Sequence, residues 1–138
     1  MKILISGSTG YVGSRLSEYL EREHEVFRGT RNNIQLKNEV RLDVTNKDEV
    51  ENFNERIDAV IHLAALNNQE SKKDLDYSHK VNVEGTETVF NLAKRNGAKK
   101  FIYFSTAHVY GRNLKDVVDE QTKLLPINQY GITHKLAE

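Results

Sequence analysis

Three glycines open the chain at even spacing, Gly7-Ser8-Thr9-Gly10-Tyr11-Val12-Gly13, directly after the apolar run Ile3-Leu4-Ile5 and before a helical pattern. A strand, a glycine loop and a helix in that order can hold the pyrophosphate of a dinucleotide. The strand carries the chain to the edge of a sheet, and the glycines let the backbone turn sharply close to the phosphates. The first N–H groups of the helix, which have no intrahelical partners, then meet the negative charge. The spacing is G-x-x-G-x-x-G rather than the commoner G-x-G-x-x-G. The same residues could build a tight βα turn that binds nothing. Their place at the start of the chain, and the order of features that follows, favour the phosphate reading.

The elements that must position such a loop can be read from periodicity. Ile3-Ser6 reads as a first strand and residues 11–22 as its helix, with Val12, Leu16, Tyr19 and Leu20 forming the stripe expected to face a sheet. Glu25-Arg28 and Glu39-Leu42 read as the second and third strands. Thr45 followed by Asp48 marks a helix start, with Val50, Phe53 and Ile57 on one face. Asp58-Leu63 has the nearly continuous apolar centre of a strand covered on both faces. A long helix is expected over Val81-Asn96, ended by Gly97 as a left-handed cap, and Phe101-Ser105 is the fifth strand. Alternation of this kind implies parallel strands with right-handed crossovers, hence a doubly wound α/β sheet.

Composition sets limits. The 138 residues fit one domain with a modest core. Lys plus Arg and Asp plus Glu number 20 each, so no net charge draws the chain to nucleic acid or to a membrane. No apolar run approaches bilayer length, and the Met-Lys-Ile-Leu start leads into a strand, unlike a signal peptide. The absence of cysteine removes disulfides and thiolate metal sites, and fits a cytoplasmic protein. The five histidines have no metal-ligand spacing, so no metal site is expected.

Six motifs in order make the chain resemble the N-terminal part of the extended short-chain dehydrogenase/reductases, the superfamily of sugar-nucleotide epimerases, dehydratases and reductases. They are Gly7-x-x-Gly10-x-x-Gly13, Asp43-Val44, His62-Leu63-Ala64-Ala65, Val81-Asn82-Val83-x-Gly85-Thr86, Phe104-Ser105-Thr106-Ala107-His108-Val109-Tyr110-Gly111 and an altered Tyr130-Gly131-Ile132-Thr133-His134-Lys135. The resemblance covers essentially the whole chain and implies a Rossmann-like fold with NAD or NADP as cofactor. It implies that Gly7, Gly10 and Gly13 line the pyrophosphate while Tyr11 and Val12 supply backbone N–H groups. Asp43 would accept from the adenine amino group and Val44 would lie against the ring. Ala64 and Ala65 would let the ribose and nicotinamide come close. Asn82, unfavourable inside a helix, should bond nearby backbone and steady the catalytic strand.

NAD users place a carboxylate at the end of the second strand, and NADP users place Arg nearby. The corresponding position here is Thr30, no carboxylate lies between Arg28 and Asn38, and Arg28 and Arg31 are both at hand. Arg grips a phosphate bidentately, so NADP is favoured over NAD. The resemblance further implies that Tyr130 exchanges a substrate proton while Thr106 positions the oxygen. The family Lys, four residues after the Tyr, is replaced by His134, with Lys135 one place further on. At 3.6 residues per turn the fourth follower lies over Tyr130 and the fifth is rotated away. A His with an unperturbed pKa of about 6.5 is mostly neutral at pH 7 and would favour the phenolate less than Lys. Three outcomes are open: a His-variant site with weaker base activation, which is favoured; a helix bulge that brings Lys135 round; or impaired proton transfer.

The sequence stops at Glu138, two turns into the Tyr130 helix, and is read as a truncated Rossmann domain lacking a substrate domain. A helix under about 12 residues is marginal without tertiary support, and the fifth strand should be an exposed edge. The leading expectation is an NAD(P)-dependent enzyme of nucleotide-sugar metabolism whose isolated chain binds cofactor but turns over poorly. The rival is a non-catalytic dinucleotide-binding or regulatory module. Self-association into a homo-oligomer, or an assembly role through the open sheet edge, is a further reading.

Overall fold

The computed structural model describes residues 1–112 and 117–138. Five parallel strands form one sheet in the order β3-β2-β1-β4-β5: β1 Lys2–Ser6, β2 Glu25–Thr30, β3 Glu39–Arg41, β4 Ala59–His62 and β5 Lys100–Tyr103. The strand alternation sorts the core onto two faces. Leu4 and Val60 point into a cluster with Leu42, Val44, Val50, Phe53, Ile57, Val81, Val89 and Leu92. Ile3, Ile5, Val26 and Ile61 point the other way, against Leu16 and Leu20 of α1 Tyr11–Leu20. Helices cover both faces, as a doubly wound sheet requires. β5 is an edge strand, and its Ile102, in register with Ile61 on the face that α1 packs against, is 45 % exposed.

Three local expectations are corrected. Only half of the apolar stripe of α1 packs: Leu16 and Leu20 meet the sheet, whereas Val12 is 48 % and Tyr19 65 % exposed. The buried line is Gly13 and Ser17, flanked by Leu16 and Leu20. Its cause is the close approach of α1 to the glycine loop. A Cβ at position 13 would collide with the Gly7 carbonyl and lie 2.8 Å from Ser8 Cα. Ser17 tolerates burial because its hydroxyl donates to the Gly13 carbonyl at 2.7 Å. Helix α2, Lys47–Glu51, is capped by Asn46 rather than Thr45. Asn46 accepts from Glu49 N and donates to the Glu49 carboxylate at 3.2 Å, whereas Thr45 turns back to Asp43. Phe53 and Ile57 are buried as expected but lie beyond the end of α2.

The long helix begins earlier than expected. After the short α3, Asn68–Ser71, Asp74 caps α4, Leu75–His79, by accepting from Tyr77 N at 2.8 Å. A π-helical turn, Lys80–Glu84, then joins α4 to α5, Gly85–Arg95. The expected left-handed glycine at the C-terminus is present, with Gly97 at φ 83°. A 3-10 turn, Ala107–Tyr110, follows β5, and α6, Gln129–Ala137, is capped by Asn128, which accepts from Gly131 N at 2.8 Å.

The loop geometry separates two kinds of glycine. A Cβ at Gly10 would meet only the Gly7 carbonyl, at 3.3 Å, and its φ of −73° suits any residue. Gly13→Ala should therefore destabilise the fold by about 1–3 kcal/mol through overpacking, with Gly10→Ala close to neutral. Equal midpoints for both variants in denaturant unfolding would contradict this account of α1 packing.

Candidate functional site

The strand order reverses between β1 and β4, and a cleft opens there at the carboxyl ends of the strands, the usual ligand position in open α/β sheets. Gly7, Thr9 and Gly10 line it after β1, and Thr30 and Arg31 after β2. Asp43, Val44 and Thr45 follow β3, Ala64, Ala65 and Leu66 follow β4, and Tyr77 and Val81 close it from the helical side. No side chain caps α1, so the N–H groups of Tyr11, Val12 and Gly13 are left for a ligand or water. Gly7 is left-handed at φ 71°, and a Cβ there would lie 2.8 Å from Ala64 N. Gly10 lines the cleft, and a Cβ there would meet only the Gly7 carbonyl, at 3.3 Å. A bare helix N-terminus beside it fits a pyrophosphate.

The walls set the electrostatics. Asp43 Oδ1 accepts from Thr45 N at 2.9 Å and Thr45 Oγ1 at 2.8 Å, and Asp43 N donates to Glu49 at 3.0 Å. Asp43 is the one carboxylate among the cleft-lining residues. Val44 is 7 % exposed and packs into the core as well as lining the cleft. Arg31 is exposed and makes no hydrogen bond or ion pair among the described residues. Arg28 is corrected: it is not available to a phosphate. It is 9 % exposed and grips Glu21 through two bonds of 2.5 and 2.6 Å. That bond raises the Arg28 pKa and lowers that of Glu21.

Beneath the cleft runs a buried polar chain. Ser6 Oγ accepts from Leu63 N at 3.2 Å and stands 2.6 Å from His62 Nδ1. His62 Nε2 lies 3.0 Å from Thr86 Oγ1, which donates to the Asn82 carbonyl at 2.7 Å. Thr86 has thus used its proton, so His62 Nε2–H donates to it and Ser6 donates to Nδ1. The ring is neutral, and burial, with a smaller contribution from His134, pushes its pKa down to about 4. The Asn82 side chain accepts from Leu66 N at 2.8 Å and donates to Thr133 of α6 at 3.0 Å. Its backbone partner is near in space but 16 residues away in sequence.

The expected catalytic residues collect outside the cleft, where α6 meets the 3-10 turn. Thr106 Oγ1 accepts from His108 N at 3.3 Å, which leaves its hydroxyl proton free for another acceptor. Tyr130 packs edge-on against His108 and His134, with centroids 5.4 and 4.5 Å apart. Gly131 permits the close approach, since a Cβ there would lie 2.5 Å from the His108 carbonyl. His134 does lie beside Tyr130, as the four-residue spacing requires, but it is 2 % exposed and turned onto β5. Its Nδ1 is 2.6 Å from the Tyr103 hydroxyl. Burial, with His108 nearby, pushes its pKa down to about 4. Nδ1 of His134 is thus occupied by Tyr103, while its buried Nε2 has no partner among the described residues. The bulge alternative for Lys135 is absent: α6 is regular, and Lys135 Nζ donates to the Leu124 carbonyl at 3.2 Å.

Sequence reasoning missed Tyr77 and Leu66 in the cleft wall, Glu49 behind Asp43, and Tyr103 behind His134. Only the Asn46-x-x-Glu49 capping pattern offered a signal for any of these.

A model of the NAD dependent epimerase/dehydratase family matches residues 3–138. The chain belongs to this family. It is 32 % identical over 144 residues to GDP-6-deoxy-D-talose 4-dehydrogenase of Aggregatibacter actinomycetemcomitans, covering 100 % of this chain and 46 % of that protein. A short-chain dehydrogenase/reductase superfamily protein of Agrobacterium tumefaciens, solved with bound NAD, matches with TM-score 0.87 and 27 % identity, over 99 % of this chain and 43 % of that one. RMD from Pseudomonas aeruginosa, solved with NADPH, matches with TM-score 0.82 and 25 % identity, over 99 % and 47 %. The chain thus spans about half the length of the curated relatives it matches. Among the described residues no helix is long and apolar enough to cross a membrane.

The buried histidines make stability depend on pH. An unfolded His titrates near 6.5, whereas His62 and His134 titrate at about 4 in the fold. Between those values the unfolded chain binds more protons, so stability is full above about pH 6.5 and falls as pH drops toward 4. For each ring, a tenfold difference in proton affinity between the folded and unfolded chain corresponds to about 1.4 kcal/mol. Unfolding midpoints in denaturant should fall measurably from pH 7.5 to 5, and a flat profile would show that these rings accept protons freely in the native state.

Proposed function

We propose that the chain is the cofactor-binding half of an NAD(P)-dependent epimerase, dehydratase or reductase acting on a nucleotide-sugar. The observation that carries this reading is the cleft at the β1/β4 reversal, with an uncapped helix start, Gly7 and Gly10 lining it, and Asp43 and Arg31 on its walls. Gly7, Gly10 and the N–H groups of Tyr11, Val12 and Gly13 hold the pyrophosphate. Asp43 and Val44 receive the adenine, and Ala64 and Ala65 leave room for the ribose. The bound dinucleotide supplies hydride transfer at its nicotinamide. Tyr130 gives or takes the proton of the substrate hydroxyl, and the free hydroxyl proton of Thr106 holds the substrate oxygen. The family and a relative acting on a GDP-linked sugar support the substrate class.

NADP is favoured over NAD. Thr30, where a carboxylate would bind the ribose 2′-hydroxyl, is 1 % exposed and accepts from Asn32 N, while Arg31 stands free at the cleft. A second reading, a dinucleotide-binding module without turnover, is favoured by the buried, neutral His134 where the family carries a cation.

Calorimetric titration should show NADP binding to the 138-residue chain, weakened at least tenfold by Gly10→Asp, which adds bulk and negative charge to the loop. Arg31→Ala should weaken NADP more than NAD, and equal losses would remove its phosphate role. No binding of either nucleotide at millimolar concentration would sink the cofactor assignment.

The chain by itself should turn over nucleotide-sugars poorly. In the protein carrying a substrate-binding region, Tyr130→Phe should lower turnover by about 10²–10⁴-fold, the range for general acid–base groups, with cofactor affinity unchanged. Full activity of that variant would remove Tyr130 from the proton-transfer role.

A further inference from the structure

We propose that Tyr103 is a positioning residue of the site. Its phenolic hydroxyl donates to Nδ1 of His134 at 2.6 Å, fixing His134 as the Nε2–H tautomer and holding that ring edge-on against Tyr130. The significance of the contact for turnover rests on the reading of Tyr130 given above, but the tautomer assignment does not.

The direction of the bond follows from the chemistry of the two groups. Among the described residues Tyr103 OH has no hydrogen-bond partner except His134, and His134 Nε2 is buried with none. A phenol is the more acidic donor and a neutral imidazole nitrogen the more basic acceptor. The Tyr103 O–H donating to Nδ1 is therefore favoured over Nδ1–H donating to the phenolic oxygen, and Nε2 carries the ring proton. The surroundings agree. Burial raises the Tyr103 pKa and keeps its proton in place, with Glu138 and Tyr130 adding to the effect. Burial also keeps His134 neutral, and His108 opposes its charging.

The contact belongs to a ladder of rings. Tyr103 stacks on His62 at 6.0 Å and 22°, and lies 5.7 Å from His134, which meets Tyr130 at 4.5 Å and 75°. β5 thereby fixes the ring beneath Tyr130. Rotation of His134 about its Cβ–Cγ bond would break the Tyr103 bond and move the surface on which Tyr130 rests. This linkage replaces an ammonium beside the Tyr with a neutral, oriented ring.

The test is nitrogen-15 NMR of the histidine rings in the 138-residue chain at pH 7. In the unaltered chain His134 should show a protonated Nε2 and an acceptor-type Nδ1, with a coupling across the bond to the Tyr103 hydroxyl proton. In Tyr103→Phe the Nδ1 signal should move by loss of that bond and the two tautomers should mix, while the His62 signals, which report the fold, stay in place. A protonated Nδ1 or a charged His134 in the unaltered chain would overturn the proposal, as would a Tyr103→Phe spectrum unchanged at His134. Should Tyr103→Phe fail to fold, the tautomer and the coupling in the unaltered chain decide the matter alone. None of these readings involves turnover, so a failure here is separate from a failure of Tyr130 as the proton-transfer residue.

Discussion

One buried polar chain determines whether the cleft has its shape. Ser6, His62, Thr86, Asn82 and Thr133 are each 5 % exposed or less, yet each finds a partner in the next. Buried polar groups are expensive unless satisfied, and a fully satisfied network fixes a single arrangement. Here it ties the end of β1 to the end of β4, and both to the π-helical turn and α6. The loop that carries Ala64, Ala65 and Leu66 is held at both ends, by Ser6 at one and Asn82 at the other. Loss of neutrality at His62 would break the chain at its centre, since a charged ring cannot accept from Ser6.

The π-helical turn follows from the same constraint. Asn82 can serve both Leu66 and Thr133 only if the helix presents it at the right place, and the wider turn at Lys80–Glu84 does so. π-turns inside helices often mark functional positions for this reason. Gly85 ends the turn, where a Cβ would come within 2.7 Å of Val44 Cγ2. A glycine inside a helix is unfavourable on propensity, so close contact with the third strand's loop accounts for it. Gly131 plays the matching part between α6 and the 3-10 turn.

Charge is distributed with equal economy. Of two arginines near the end of β2, one is consumed by Glu21 and buried, and one is left at the cleft. Of the aromatic and imidazole groups around Tyr130, His134 is neutral by burial and tied to β5. The site therefore combines a carboxylate-poor, Arg-bearing wall with an uncharged ring beside its Tyr. On the proposed function, Tyr130 acts without a fixed cation at the position four residues on.

The sequence by itself determined the fold class, the five strands and their order of appearance, the glycine loop, and Gly7, Gly10, Arg31, Asp43, Val44, Ala64 and Ala65 among the residues that line the cleft. Those features rest on local rules: period-2 and period-3.6 patterns, caps, and glycines where a turn needs them. Tertiary structure decided the rest. Val12 and Tyr19 formed a convincing stripe, but contact at Gly13 set the rotation of α1. Arg28 and Arg31 were equivalent in sequence, and only folding brought Glu21 to one of them. His134 was legible as the neighbour of Tyr130 because four residues make about one turn. Its burial and its bond to Tyr103 were not, because 31 residues separate the partners and no local pattern encodes a contact between a strand and a helix so far apart.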